Sequence, residues 1–161
     1  MIKTLIPNSV LVLDNIRSAH NVGSLFRTAD AVGVEKIFLC GTTPSPIDRF
    51  GRERNDIAKV ALGAEKTIAY ESVVSTSDAV LKLKADGYQI IAIEQSPHAV
   101  DYKTVVPKFP VAFVLGTEVT GLSKEILNLA DVVAEIPMQG KKESLNVVVA
   151  GGVALFRILN K

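Results

Sequence analysis

The chain has 161 residues, 48% of them apolar and 22% charged, with eighteen Lys and Arg against seventeen Asp and Glu. That length and apolar share suit one soluble domain with a full core, and the even charge excludes a polybasic arm or an acidic tail. Both halves are balanced, so any contact with nucleic acid or a membrane has to come from a local patch.

Short β-branched runs alternate with helical patterns, as in crossover units on a mostly parallel sheet. In chain order the expected elements are a strand over 10–14, a helix over 19–32, strands over 36–40 and 67–70, and a helix over 76–85. Strands over 89–94 and 111–115, a helix over 123–130, a strand over 132–136 and a helix over 145–160 complete the set. Several strands are apolar along their whole length, as strands covered on both faces are. No tract rich in Gly, Pro or Ser divides the chain, so residues 1–161 read as one α/β domain.

Met1-Ile2-Lys3-Thr4-Leu5-Ile6-Pro7 holds neither an apolar signal core nor a small-residue cleavage site, so the chain reads as unprocessed. The longest apolar stretch, 147–156, is about half of the roughly 20 residues a spanning helix needs, and no membrane span is expected. The lone Cys40 lies in the apolar run 37–40 and reads as a buried thiol in a reducing cytoplasm.

On the first helix Val22, Leu25, Phe26, Ala29 and Val32 form a stripe that packs on the sheet, with His20, Gly23 and Arg27 along a polar edge opposite. That edge follows Asn15-Ile16-Arg17-Ser18 at the end of the first strand, where open α/β sheets bind ligands. A solvated face is the alternative. The last helix is apolar around its full circumference, so it must be covered on every side, either by a second copy of the chain or inside the fold. Gly151 and Gly152 within it suggest close approach of another backbone.

No G-x-G-x-x-G follows the first strand, and Leu122 stands where a P-loop needs Lys, so phosphate-binding nucleotide sites are disfavoured. His20, His98 and Cys40 are too few and scattered for a zinc site, and no metal is expected. No G-x-S-x-G elbow is present. Three loops at strand ends remain, 15–27, 115–123 and 136–146, each dense in Gly and small polar residues, and together they suggest a pocket.

The segments Asp14-Asn15-Ile16-Arg17-Ser18-Ala19-His20-Asn21-Val22-Gly23-Ser24-Leu25-Phe26-Arg27-Thr28-Ala29, Phe113-Val114-Leu115-Gly116-Thr117-Glu118 with Gly121-Leu122-Ser123, and Ile136-Pro137-Met138 with Ser144-Leu145-Asn146-Val147 resemble, in order, the three motifs of the SpoU (TrmH) RNA 2′-O-ribose methyltransferases of the SPOUT superfamily. The resemblance runs from Val10 to the last helix and matches the minimal members without an added RNA-binding domain. It implies an α/β fold with a deep trefoil knot near the C-terminus, S-adenosylmethionine held in the knot, and a homodimer with its active site at the subunit interface. Val119 stands where many members have Gly, which implies a narrowed cofactor loop, and Val148 replaces a Ser, which implies altered packing.

By the same resemblance Arg27 is catalytic, aided by Asn21, and Glu118 orients Arg27 or contacts substrate, in its own subunit or across the dimer. Because a guanidinium is a poor free base, Arg27 is assigned to a phosphate and the developing alkoxide rather than to proton removal. Ser144 and Asn146 match substrate and active-site positions, with helix capping as an alternative that can coexist. Backbone groups at Leu115, Gly116, Ile136, Met138, Ser144 and Leu145 would hold the cofactor.

Candidate RNA contacts are Arg17, the loop with Arg49, Phe50, Arg52 and Arg54, and Lys141 with Lys142. Arg binds phosphate and Phe stacks on a splayed base, while acids and amides interleaved in the 48–55 loop also allow a plain solvated loop. The expected function is S-adenosylmethionine-dependent methylation of a ribose 2′-hydroxyl in tRNA or rRNA. The alternative is a non-catalytic RNA-binding or assembly factor that keeps the fold.

Overall fold

The computed structural model describes residues 8–161; the segment 1–7, read above as lacking a signal core, lies outside them. Strands β1 (Ser9–Asp14), β2 (Lys36–Cys40), β3 (Ala69–Val73), β4 (Gln89–Ile93), β5 (Val100–Asp101), β6 (Val111–Leu115) and β7 (Val132–Glu135) form one sheet in the order β3-β2-β1-β6-β4-β7-β5. Every pairing is parallel, for example Leu11 opposite both Ile37 and Phe113. All strands therefore end at one edge, and the loops that follow them share that edge.

Helices α1 (Ala19–Val32), α2 (Asn55–Ala61), α3 (Ala64–Thr67) and α6 (Val147–Ile158) join one core layer with Leu11, Leu13, Phe113 and Leu115. Helices α4 (Thr76–Ala85) and α5 (Lys124–Leu129) cover the opposite face over Val10, Val12, Ala112 and Val114. Alternate strand residues thus feed opposite layers, which is why these strands are apolar throughout.

The expected bounds hold at α1, β2, α4 and β6. Ser18 caps α1 by accepting from the Asn21 amide, and Gly33 ends it in the left-handed region at φ 85°. Elsewhere local chemistry shifts the ends. Asn146 caps α6 through a 2.8 Å bond from the Val148 amide, so the helix starts at Val147 rather than 145. Thr67, expected in a strand, ends α3 instead, where its hydroxyl donates to the Ala64 carbonyl and β3 begins at Ala69. Helices α2 and α3 were not expected, since α2 buries only Ile57 and Ala61 and has no side-chain cap.

The glycines also differ from expectation. Gly23 is buried beneath α2 rather than lying on a polar edge: a Cβ there would come within 2.7 Å of the Ile57 carbonyl oxygen. Gly151 accommodates the Leu115 and Leu25 side chains, not another backbone, and Gly152 meets only Thr28 at 3.9 Å. Helix α6 is covered on one side, with Val149, Val153 and Phe156 left exposed at helical spacing. Val148 is half-buried against the core, consistent with a packing role. Cys40 is buried, and burial pushes its thiol up to about 11. Among the described residues no helix is long and apolar enough to cross a membrane, and no group of His, Cys, Asp or Glu is placed to hold a metal ion.

Candidate active site

The ends of β1, β4, β6 and β7 lie side by side, so the loops after them converge. The loop after β1 is fixed from the side. Asn15, at φ 53°, accepts from the Thr42 amide at 3.0 Å, and the Ile16 amide donates to the Thr43 hydroxyl at 3.0 Å. The loop after β6 carries internal bonds: the Gly121 amide donates to the Thr117 carbonyl at 2.9 Å, and the Thr117 and Thr120 hydroxyls are 2.7 Å apart. Rigid loops on strand ends are what a preorganised site requires.

Two hollows open on this edge. One, of about 300 Å³, lies between the loops after β4, β6 and β7, and its walls include Leu115, Gly116, Ile136, Met138, Ser144 and Leu145. All six residues expected to hold the cofactor thus meet in one place. The second, of about 500 Å³, is lined by Asn15, Ile16, Arg17, Ser18 and Asn21 from the first motif. Thr117, Glu118, Val119, Thr120 and Val147 border both hollows. Val119 is 94% exposed at the loop tip, where it borders both hollows.

Glu118 joins the three motifs. Its Oε1 accepts from Asn146 Nδ2 at 2.8 Å, from the Val147 amide at 3.2 Å and from Asn21 Nδ2 at 3.5 Å. The carboxylate therefore sits at the N-terminus of α6, where helix dipole and free amides favour negative charge. Within one chain Glu118 makes no hydrogen bond or ion pair with Arg27 among the described residues. Arg27 is exposed, lines neither hollow and makes no hydrogen bond or ion pair among the described residues. Asn146 caps α6 and also binds Glu118.

The chemistry of the first hollow fits S-adenosylmethionine. Its walls combine apolar Ile93, Leu115, Ile136, Met138 and Leu145 with the carboxylates of Glu94, Glu118 and Glu143, and carry no Lys or Arg. A flat adenine suits the apolar walls, and a ligand with a sulfonium and an ammonium suits the acids. A polyphosphate would need cations instead.

Among the basic candidates, Arg17 borders the second hollow. Residues 47–53 form a short hairpin-like finger through the Ile47–Glu53 bridge, with Phe50 66% exposed near its tip. Arg49 and Arg52 lie 4.7 and 5.0 Å from the Phe50 ring. Asp48 accepts from the Phe50 and Arg52 amides, and these bonds, the Arg52 amide foremost, hold its carboxyl below the usual range. Arg52 pairs with Asp48 and Arg54 with Asp56, which leaves Arg49 as the finger's cation without an ion pair among the described residues. Lys141 and Lys142 are exposed beside Glu143.

Sequence reasoning missed Glu94 and Gln95, which line the first hollow and bond to two of its loops. Their one signal is position, a polar pair directly after an apolar strand at the ligand-binding edge.

The model of the SpoU rRNA Methylase family matches residues 8–156. A tRNA (guanosine(18)-2'-O)-methyltransferase of Escherichia coli K12 is 33% identical over 150 residues, covering 93% of this chain and 62% of that protein. A 23S rRNA (guanosine-2'-O-)-methyltransferase of Ralstonia nicotianae is 34% identical, covering 96% and 59% respectively. The crystal structure of an AdoMet-bound rRNA methyltransferase from Sinorhizobium meliloti superposes with a TM-score of 0.85 at 30% identity, covering 95% of this chain and 56% of that one. The chain thus spans about three fifths of the length of the curated relatives it matches.

Proposed function

The chain belongs to the SpoU rRNA methylase family, and on that premise we propose that it is an S-adenosylmethionine-dependent methyltransferase acting on a ribose 2′-hydroxyl of tRNA or rRNA, with residues 1–161 as one catalytic domain. The observation that carries this reading is the adjacency of an acid-lined, cation-free hollow and a second hollow with Arg17 and Asn21, joined at Glu118. When bound, the cofactor supplies an electrophilic methyl on a sulfonium.

The protein's part is placement, and orientation alone removes several kcal/mol from such a barrier. Glu118 fixes Asn146 and faces Asn21, so the Asn21 amide is oriented at the boundary of the two hollows. Asn21 then directs the ribose hydroxyl. Arg27 binds the neighbouring phosphate and stabilises the developing alkoxide. Ser144, on the wall of the first hollow, meets the ligand from the opposite side.

The same reading makes the protein a homodimer. Val149, Val153 and Phe156 leave an apolar stripe on α6, and Arg27 lines neither hollow of its own chain. A second copy laid on that stripe covers it and supplies Arg27 to the partner's site. The trefoil knot belongs to this reading too, formed where the loops after β6 and β7 meet ahead of α6. So does a cytoplasmic location, with which the buried Cys40 thiol agrees.

RNA is held by Arg17, by the finger with Arg49, Arg52 and Arg54, and by Lys141 and Lys142. Phe50 adds a surface for an unpaired base. The non-catalytic alternative is not favoured, because Asn21, Arg27, Glu118, Ser144 and Asn146 are all present and Glu118 binds two of them. Calorimetric titration with S-adenosylmethionine tests the proposal: saturable binding is expected, and absence of binding by the folded protein overturns it.

A further inference from the structure

We propose that Glu94 and Gln95 are positioning residues that set the width of the cofactor hollow, and that Gln95 is the latch of its third loop. The inference rests on the reading above for the identity of the ligand. Strand β4 lies between β6 and β7, so the two residues that follow it emerge between the loops after those strands. Consecutive side chains on an extended backbone point to opposite sides, and these two do so.

Glu94 turns toward the loop after β6. Its Oε2 accepts from the Leu122 amide at 3.0 Å and its Oε1 from the Gln95 amide at 2.9 Å. Gly121, at φ +63°, permits this approach, since a Cβ there would lie 2.5 Å from Glu94 Oε2. Gln95 turns the other way, and its Nε2 donates to the Glu143 carbonyl, one residue before Ser144. Both side chains line the hollow.

This is the one side-chain hydrogen bond to residues 136–145 of the third loop among the described residues. Among the described residues, 136–145 make no other side-chain hydrogen bond and no backbone hydrogen bond outside regular structure. The loop carries Ile136, Met138, Ser144 and Leu145, four of the residues that face the ligand. Its position over the hollow is therefore set by the Gln95 amide and by the half-buried apolar side chains beneath it.

Two variants separate the latch from charge. Gln95→Met keeps the length of the side chain and removes the donor; Gln95→Glu removes the donor and adds a negative charge that attracts a cationic ligand. The latch predicts that both weaken S-adenosylmethionine binding about fivefold, the weight of one neutral hydrogen bond. It also predicts faster amide hydrogen exchange over residues 138–146 in the ligand-free protein, by about the same factor. At saturating cofactor the fall in kcat is smaller than the loss of S-adenosylmethionine affinity, because the lost bond acts on the cofactor hollow. Unchanged exchange and affinity in Gln95→Met overturn the latch, as does tighter binding in Gln95→Glu. The exchange arm needs no ligand, so it decides the latch even where failure of the wild type to bind S-adenosylmethionine overturns the functional reading.

Discussion

Glu118→Gln is the substitution in which stability and catalysis separate most clearly. The wild-type carboxylate accepts two short bonds, from Asn146 Nδ2 at 2.8 Å and the Val147 amide at 3.2 Å, and a long one from Asn21 at 3.5 Å. A charged acceptor contributes about 1.5–3 kcal/mol per bond and a neutral one about 0.5–1.5, so the two short bonds weaken by about 2 kcal/mol together. Glu118 is exposed, and solvent screening reduces this to about 1 kcal/mol. For a domain of this size that lowers Tm by about 2–4 °C. Catalysis is hit harder, because the weaker neutral acceptor holds Asn21 and Asn146 less firmly, and a misplacement of about 1 Å costs about 100-fold. The assay is single-turnover methyl transfer at saturating S-adenosylmethionine, paired with a thermal melt. A fall of less than about tenfold in rate, or a Tm loss that accounts for the whole rate loss, refutes the assignment of Glu118 as the organiser of the site.

Arg27→Ala is expected to keep S-adenosylmethionine affinity while transfer falls by at least about 100-fold, the usual weight of one charge-stabilising donor; retained activity contradicts the role of Arg27. Charge reversal at Arg49, Arg52 and Arg54 is expected to weaken RNA binding and flatten its salt dependence, with most of the effect from Arg49 because the other two are already ion-paired; gel-shift titrations at several salt concentrations check this. Val153→Glu with Phe156→Glu is expected to give a folded monomer by sedimentation that lacks transfer activity but regains some when mixed with Arg27→Ala only if subunits reassociate. Cys40, its thiol raised by burial to about 11, is expected to resist alkylation at pH 8 in the native protein and to react once unfolded. Because the folded value lies above the unfolded one, the thiol's contribution to stability is complete below about pH 8.5 and is lost as pH rises toward 11.

Much of the fold was legible because apolar runs and caps coincide. Ile37 to Cys40 is buried along its length, and Ser18 and Gly33 mark both ends of α1 in sequence as they do in space. Helix α2 was invisible because two buried residues make no stripe, and β5 because two residues make no run. Gly23 was misread as part of a polar edge since the helix that covers it could not be seen. In the site, one hollow gathers Leu115, Gly116, Ile136, Met138, Ser144 and Leu145 from loops that the motif resemblance groups in sequence. The partner of Glu118 did not follow from it: spacing along α1 gives no information on which side chain meets a loop some ninety residues later. Glu94 and Gln95 escaped for a related reason, as their role exists only because β4 is inserted between β6 and β7.

The central claim is transfer of a methyl group to ribose. Incubation of the purified protein with RNA and isotopically labelled S-adenosylmethionine, followed by nuclease digestion and nucleoside mass spectrometry, tests it directly. The label is expected on a 2′-O-methylated nucleoside of tRNA or rRNA and absent with Arg27→Ala; label on a base, or none on any RNA, contradicts the account.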